Sequence, residues 1–381
     1  MKFLSTPTHL LELYKEIGAH IAEYAGWLSP LWFEGVVPEH LAVREAVGIF
    51  DVSHMGRFII TGTDSAQFLD YVTTMDIQGM GYDVARYGYV LNQEGGIKDD
   101  VIVYRMDKDK FRLVCNAVNR QKIFNWFKEV AKSFNDVKVE DVTFSSVMFA
   151  VQGPKAARTL QKLCKDDLSA IKWYRHIETE LAGQRCYLSR TGYTGEDGFE
   201  VILIKTPSEI FEYGKRLWKA IYEAGKEYGI KPCGLGARDS LRIEAGLPLY
   251  GNELREDITP LEVRGYTFIK FDKGDFIGKQ ELLNLDKSGL DKVRVGIRMI
   301  EQGIPRGGFD ILKDDIKIGW ISSGTYSPLI KNGIGLGFVQ TKYAVFDAPV
   351  LVNIRGRKVK AKLSNWPFYD TLKYGRLRAS K

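Results

Sequence analysis

From about Val293 onward the chain breaks into short alternating runs split by glycine: Val295-Gly-Ile-Arg298, Gly319-Trp-Ile-Ser322, Gly335-Leu-Gly-Phe-Val339 and Val350-Leu-Val-Asn-Ile354. Such runs place apolar side chains on one face of a strand and are too short and too interrupted for helices. The C-terminal part can therefore only be an all-β module, a small barrel or jelly roll. Everything upstream must be organised separately.

The upstream pattern mixes periods. Leu10 to Ala25 reads as helical, a turn follows at Gly26-Trp27-Leu28-Ser29-Pro30, and a second helical run leads to Gly48-Ile49-Phe50-Asp51. Alternation at Phe58-Ile59-Ile60, Val101-Ile102-Val103 and Phe111 to Cys115 predicts antiparallel strands. Asn119 to Phe134 carries Ile123, Phe127, Val130 and Phe134 on one helical face. A second unit opens with a strand at Val147 to Val151, broken by Gly153-Pro154, and a helix over Lys155 to Cys164. Thr206 is expected to cap a further helix, with Pro207 in its first position, Glu209 completing a capping box, Ile210, Leu217 and Ile221 buried, and Gly225 at the end. Neither GxGxxG nor GxxxxGK[ST] occurs, so the order of elements indicates α+β units with antiparallel sheets rather than a Rossmann unit.

Length and composition set limits. A chain of 381 residues, 45% hydrophobic, can bury large cores in two or three domains. No apolar run reaches membrane-spanning length, and the start MKFLSTPTHLLELYKEIGAH meets charge too early for a signal-peptide core, which predicts a cytoplasmic protein. Cys115, Cys164, Cys186 and Cys233 lack CxxC spacing and read as buried free thiols rather than a zinc or redox site. The net charge of +6 is spread without a dense basic tract, so nucleic acid is not the expected partner; a mildly basic surface suits an acidic protein or a polyanionic small molecule.

The chemistry enters through residues 87–104. They read as a hairpin whose Gly95-Gly96 turn delivers Asp99 and Asp100 to the start of a strand. Adjacent strand residues face opposite ways, so one carboxylate can enter a cavity while the other faces solvent or caps the turn. The same segment also fits an ordinary solvated turn.

Taken in order, the motifs Ala25-Gly26-Trp27, Gly48-Ile-Phe-Asp-Val-Ser-His-Met55, Gly95-Gly-Ile-Lys-Asp-Asp100, Val151-Gln-Gly-Pro154 and Ser189-Arg-Thr-Gly-Tyr-Thr-Gly-Glu-Asp-Gly-Phe-Glu200 are joined by three more. These are Gly234-Leu-Gly-Ala-Arg-Asp-Ser-Leu-Arg-Ile-Glu-Ala245, Asp275-Phe-Ile-Gly-Lys279 and Ser322-Ser-Gly-Thr-Tyr-Ser-Pro328. Over nearly its whole length the chain resembles the aminomethyltransferase (T-protein) family of the glycine cleavage system, within the folate-dependent aminomethyl and methyl transferases. The resemblance implies an α+β fold of three domains in a ring-like arrangement with antiparallel sheets. The first would comprise 1–55 plus 145–245, the second, ferredoxin-like, 56–144 plus 246–290, and the C-terminal β-barrel 291–381. It implies a reaction in which the aminomethyl group on the lipoyl arm of the H-protein passes its one-carbon unit to tetrahydrofolate, or to a methanopterin relative, with release of ammonia and with no metal or flavin.

The resemblance also assigns roles. Asp100 is the functional aspartate, placed to hold the folate amine near the reacting carbon, with Asp99 as its outward-facing control. Glu200 matches the pterin-binding glutamate: a pterin edge offers two parallel N–H donors that one carboxylate can accept. Tyr87, Met55 and Tyr104 match positions around the ligand, where aromatic and sulfur side chains pack on flat rings. Tyr193 supplies an aromatic wall in the Gly192 to Gly195 turn, and Arg238 matches a residue lining the folate cavity, although an Arg238–Asp239 ion pair is an equally simple reading. His54 is either a base titrating near neutrality or part of the cavity wall. Two segments depart from the family pattern, Glu23-Tyr-Ala-Gly-Trp-Leu-Ser-Pro30 and Arg264-Gly-Tyr-Thr267. They leave open a demethylase of a small methylated substrate that uses the same pocket, or a non-catalytic folate binder.

Overall fold

The computed structural model describes residues 5–378. Its largest sheet has six strands in the order His176–Leu181, Gln184–Ser189, Gly198–Ile204, Ser146–Gln152, Gly48–Asp51 and Lys231–Cys233, all antiparallel except the last pair. Ser146–Gln152 is buried along its whole length. Its alternation serves two cores. Val147, Phe149 and Val151 pack under the helices Ala156–Gln161 and Ile210–Gly225, whereas Met148 and Ala150 face Phe50, Tyr104, Val114 and Leu241.

A five-stranded antiparallel sheet, Ala85–Leu91, Ile97–Asp107, Lys110–Cys115, Gly56–Thr61 and Lys138–Asp141, packs against that second core. Here too the pleat sorts side chains. Val101 and Val103 meet the helices Ser65–Val72 and Arg120–Ala131, while Ile102 and Tyr104 turn to the six-stranded sheet. The segment after residue 246 runs back over this sheet, with Leu254, Ile258 and Phe276 packed on Tyr89, Leu91 and Ile97.

The C-terminal module resolves the choice between barrel and jelly roll: six strands close as Lys292–Met299, Asn332–Gln340, Ile316–Ser327, Asp310–Lys313, Pro349–Ile354 and Arg357–Ser364, the last pairing with the first. Closure removes sheet edges. It also explains a glycine that splits the runs, since a Cβ at Gly319 would stand 1.9 Å from the Phe338 carbonyl oxygen on the neighbouring strand.

Two local expectations need correction. The helix expected from Leu10 to Ala25 ends at Glu16, and His20–Tyr24 pairs with Trp27–Trp32 in a small sheet. Ala25 and Gly26, at φ 51° and 79°, make the tight turn that a right-twisted hairpin requires, and this overrides the apolar spacing. The helix expected from Thr206 starts at Ile210: the Thr206 hydroxyl donates to Glu209 Oε2 (2.6 Å), which also accepts the Thr206 N–H (3.3 Å). Its α-helical run ends at Gly225 as expected, and one 3₁₀ turn then leads to Gly229 at φ 75°. The buried face of Ile210, Leu217 and Ile221 is as expected, and all four cysteines are free and buried.

Candidate active site

A cavity of about 840 Å³ opens where the two sheets, the helix Leu235–Ala245 and the barrel edge converge. The hairpin brings Asp100 to it. Strand Ile97–Asp107 pairs with Ala85–Leu91 so that Asp100 lies opposite Tyr89, and the loop between them is closed by Asn92, whose Oδ1 accepts from Gly96 N (2.7 Å). Asp100 Oδ2 accepts from the Tyr87 hydroxyl (3.0 Å) and Oδ1 from Asn116 Nδ2 (2.6 Å). Burial raises the Asp100 carboxyl to about 6, with these two hydrogen bonds working against the rise.

Asp99 is not the solvent-facing or turn-capping acid expected from the hairpin. It turns to the helix-covered face and is fully buried, accepting from Asn116 N (3.1 Å), Asn116 Nδ2 (2.8 Å) and Asn119 Nδ2 (2.7 Å). Burial, and then the neighbouring Asp100 charge, push it well above the usual carboxylate range. One amide, Asn116 Nδ2, thus bridges the buried Asp99 and the half-buried Asp100, donating to both. Sequence reading missed Asn116. The available signal was an Asn-x-x-Asn pair, Asn116 and Asn119, where strand Lys110–Cys115 gives way to a helix, the place where amide side chains tie off free groups.

Across the cavity Glu200 projects from strand Gly198–Ile204. It is 5% exposed and accepts from Thr191 Oγ1 (2.6 Å). Burial raises it, while Thr191 and the Arg238 charge pull the other way. Arg238, on the helix Leu235–Ala245, places its guanidinium 4.7 Å from the Tyr193 ring centre, and its buried Nη1 has no partner in the protein. The Arg238–Asp239 pair does not form. Adjacent helical residues point about 100° apart, and Asp239 reaches Arg242 Nε instead, at 2.9 Å, along an i,i+3 row. Tyr193 is anchored by its hydroxyl on the Pro248 carbonyl. The glycine preceding it faces the protein as well as the cavity, since a Cβ at Gly192 would fall 2.0 Å from Gln152 Oε1.

Of the residues expected around a ligand, Met55, Tyr87, Tyr193, Glu200 and Arg238 line this cavity with Asp100. Tyr104 does not. It is 1% exposed, sits in the core between the sheets, and meets His176 edge-on at 5.5 Å. It stands on the same face of its strand as Asp100 but four residues farther along, under the six-stranded sheet. His54 lines the wall, edge-on to Tyr24 at 5.6 Å. Burial, then the charges of Arg238 and Arg57, lower its pKa to about 3, so the imidazole is neutral at ordinary pH and does not titrate near neutrality. Tyr174, Arg294 and Trp366 also line the cavity and had no sequence signal, because each arrives from a different part of the fold. Among the described residues no cluster of His, Cys, Asp and Glu is arranged to hold a metal ion, and no helix is long and apolar enough to cross a membrane.

Two α+β sheets and a small barrel around a carboxylate-bearing cavity are the arrangement expected of the one-carbon transferases that the sequence motifs resemble, and comparison with known proteins narrows the class. The GCVT N-terminal domain family matches residues 10–273 and the glycine cleavage T-protein C-terminal barrel domain matches residues 292–370. An aminomethyltransferase of Caldanaerobacter subterraneus subsp. tengcongensis is 46% identical, covering 95% of each chain. A probable aminomethyltransferase of Thermococcus kodakarensis is 42% identical over 97% of this chain and 98% of its own. The crystal structure of glycine cleavage system aminomethyltransferase T from Bartonella henselae superimposes with a TM-score of 0.89 at 31% identity, covering 98% of this chain and all of that one. The chain belongs to the glycine cleavage T-protein family. It is an aminomethyltransferase, and the small-molecule demethylase is not the favoured reading.

Proposed function

We propose that the cavity joins tetrahydrofolate to an aminomethyl group carried on the lipoyl arm of an H-protein, and that Asp100 directs the transfer. The observation that carries this reading is the Asp100 carboxyl, held by Tyr87 and Asn116 and facing a cavity that also presents Glu200 and Arg238. A folate amine attacks the S–CH₂–N carbon and ammonia leaves; the second folate nitrogen then closes onto that carbon, displacing the lipoyl sulfur as a thiolate that takes up a proton. Positive charge develops at carbon and nitrogen, and a fixed carboxylate in a water-poor site stabilises it and can accept the proton the amine must lose. No electrons change hands, so the reaction as written needs neither a flavin nor a redox metal.

Glu200 is the pterin anchor in this reading. Oε2 holds Thr191, and the remaining lone pairs are free to accept the two N–H donors of a pterin edge. Tyr193 and Met55 form walls for the flat rings, and Arg238 lines the same space. A cytoplasmic location belongs to the same proposal; four free thiols fit a reducing compartment. The test is formation of methylenetetrahydrofolate and ammonia from aminomethyl-lipoyl H-protein by the purified chain. Folate-dependent release of both is expected. Tight tetrahydrofolate binding without turnover on this donor would overturn the choice of donor.

A further inference from the structure

The turn that presents Tyr193 and Glu200 is gripped from behind by the C-terminal tail. After the last barrel strand, Arg357–Ser364, the chain lays Trp366 against the cavity and crosses the helix Leu235–Ala245, where Phe368 N donates to Glu244 O (2.9 Å). It then reaches the Gly195-Glu196 turn. The Tyr369 hydroxyl (3.3 Å) and Arg376 N (3.0 Å) donate to Gly195 O, Gly375 N donates to Glu196 Oε1 (2.8 Å), and Arg378 Nη2 pairs with Glu196 Oε2. Arg378 also donates to Arg44 O, through Nη1 (3.3 Å) and Nη2 (3.2 Å).

Glu196 is fully enclosed, and its charge is shared out in a buried cluster. Arg44 Nη1 donates to Thr194 O (2.8 Å) and Glu196 Oε1 (3.2 Å), while Arg44 Nε donates to Glu244 Oε2 (2.8 Å). Two arginines thus face two glutamates, and His40 is a further neighbour of Glu244 at 3.0 Å. Without Arg378 the cluster holds two buried carboxylates against one guanidinium, and Glu196 loses its partner on Oε2. A buried carboxylate short of partners moves or draws in water. Glu196 itself belongs to the turn that carries Tyr193 on one side and the strand with Glu200 on the other.

We propose that Arg378 is a positioning residue for the folate pocket: the C-terminal tail is a strap that fixes the Thr194-Gly195-Glu196 turn, and through it the Tyr193 wall and the Glu200 anchor. Arg378 does not line the cavity. The inference rests on the reading of Glu200 as the pterin anchor, and the experiment separates the two.

Tetrahydrofolate binding by calorimetry and steady-state kinetics are measured on the full-length wild type, Arg378→Ala, Arg378→Lys and Glu200→Gln, with melting temperatures alongside. Arg378→Ala is expected to raise the Kd and KM for tetrahydrofolate about tenfold with kcat and the donor KM within twofold; Arg378→Lys, which keeps the charge, recovers most of the loss. A variant ending at Gly375, which removes the Arg376 and Arg378 contacts together, should show the same folate-selective loss. Unchanged folate affinity in Arg378→Ala, or equal losses for both substrates that track a lower melting temperature, would overturn the strap. Normal folate affinity in Glu200→Gln with a loss in Arg378→Ala would instead overturn the Glu200 anchor and leave a strap acting through Tyr193.

Discussion

At the scale of single residues, two acids on one hairpin differ because the pleat sends them into different environments. Asp100 faces the cavity with Tyr87 and Asn116; Asp99 faces buried amides under a helix. Asp100→Asn keeps the shape and one acceptor oxygen but removes the charge and turns the other oxygen into a donor. It should lower kcat by about 10²–10⁴, the range for a positioned acid–base group, while tetrahydrofolate affinity stays within threefold. Glu200→Ala should act the other way, weakening folate binding by about 1.5–3 kcal/mol for a charge-assisted contact; equal loss of binding in both variants would contradict this division. The Asp100 carboxyl, raised to about 6, carries a proton at lower pH. Since the carboxylate is the working form, kcat/KM should rise with pH through about 6 and level off above it. That acidic limb should be absent from Asp100→Asn, and His54, neutral down to about 3, should add none.

At the scale of elements, the site depends on how strand ends are tied off. Asn116 follows the last residue of strand Lys110–Cys115 and donates to both hairpin acids. Asn116→Ala should cost about 1–3 kcal/mol in unfolding free energy, the penalty for stranding buried acceptors. It should also move the acidic limb of kcat/KM upward, because a carboxylate without its donor protonates more readily. The barrel offers an independent check: Gly319→Ala forces a Cβ against the Phe338 carbonyl and should destabilise the fold by about 1–3 kcal/mol in chemical denaturation without altering folate affinity. Elements were also where local rules were overruled. The helical spacing after Leu10 gave way to a hairpin because Ala25-Gly26 forms a tight turn and the strand Trp27–Trp32 supplies a pairing partner, which a single-segment pattern cannot register.

At the scale of the whole molecule, charges distant in sequence are neutralised only when the chain closes. Burial raises Glu244, but the His40 hydrogen bond and the Arg44 charge outweigh it, and the carboxyl falls to about 2 from 4.5. A depressed carboxyl stabilises the fold above its unfolded value, so this contribution is complete above about 4.5 and is lost as pH falls towards 2. Arg44→Met should destabilise the protein by about 3–5 kcal/mol, as for breaking a buried pair, and should raise the midpoint of acid unfolding. By itself the sequence determined the all-β nature of the C-terminal module and the α+β character of the rest, and its motifs singled out Asp100 and Glu200 as candidates, because strand alternation, turn glycines and motif spacing act over short distances along the chain. Tertiary structure alone decided which face each acid took, that Tyr104 is core rather than cavity wall, and that Asn116, Arg294 and Trp366 share the site. Those outcomes depend on which surfaces of separate elements meet, a long-range packing choice that no local pattern encodes.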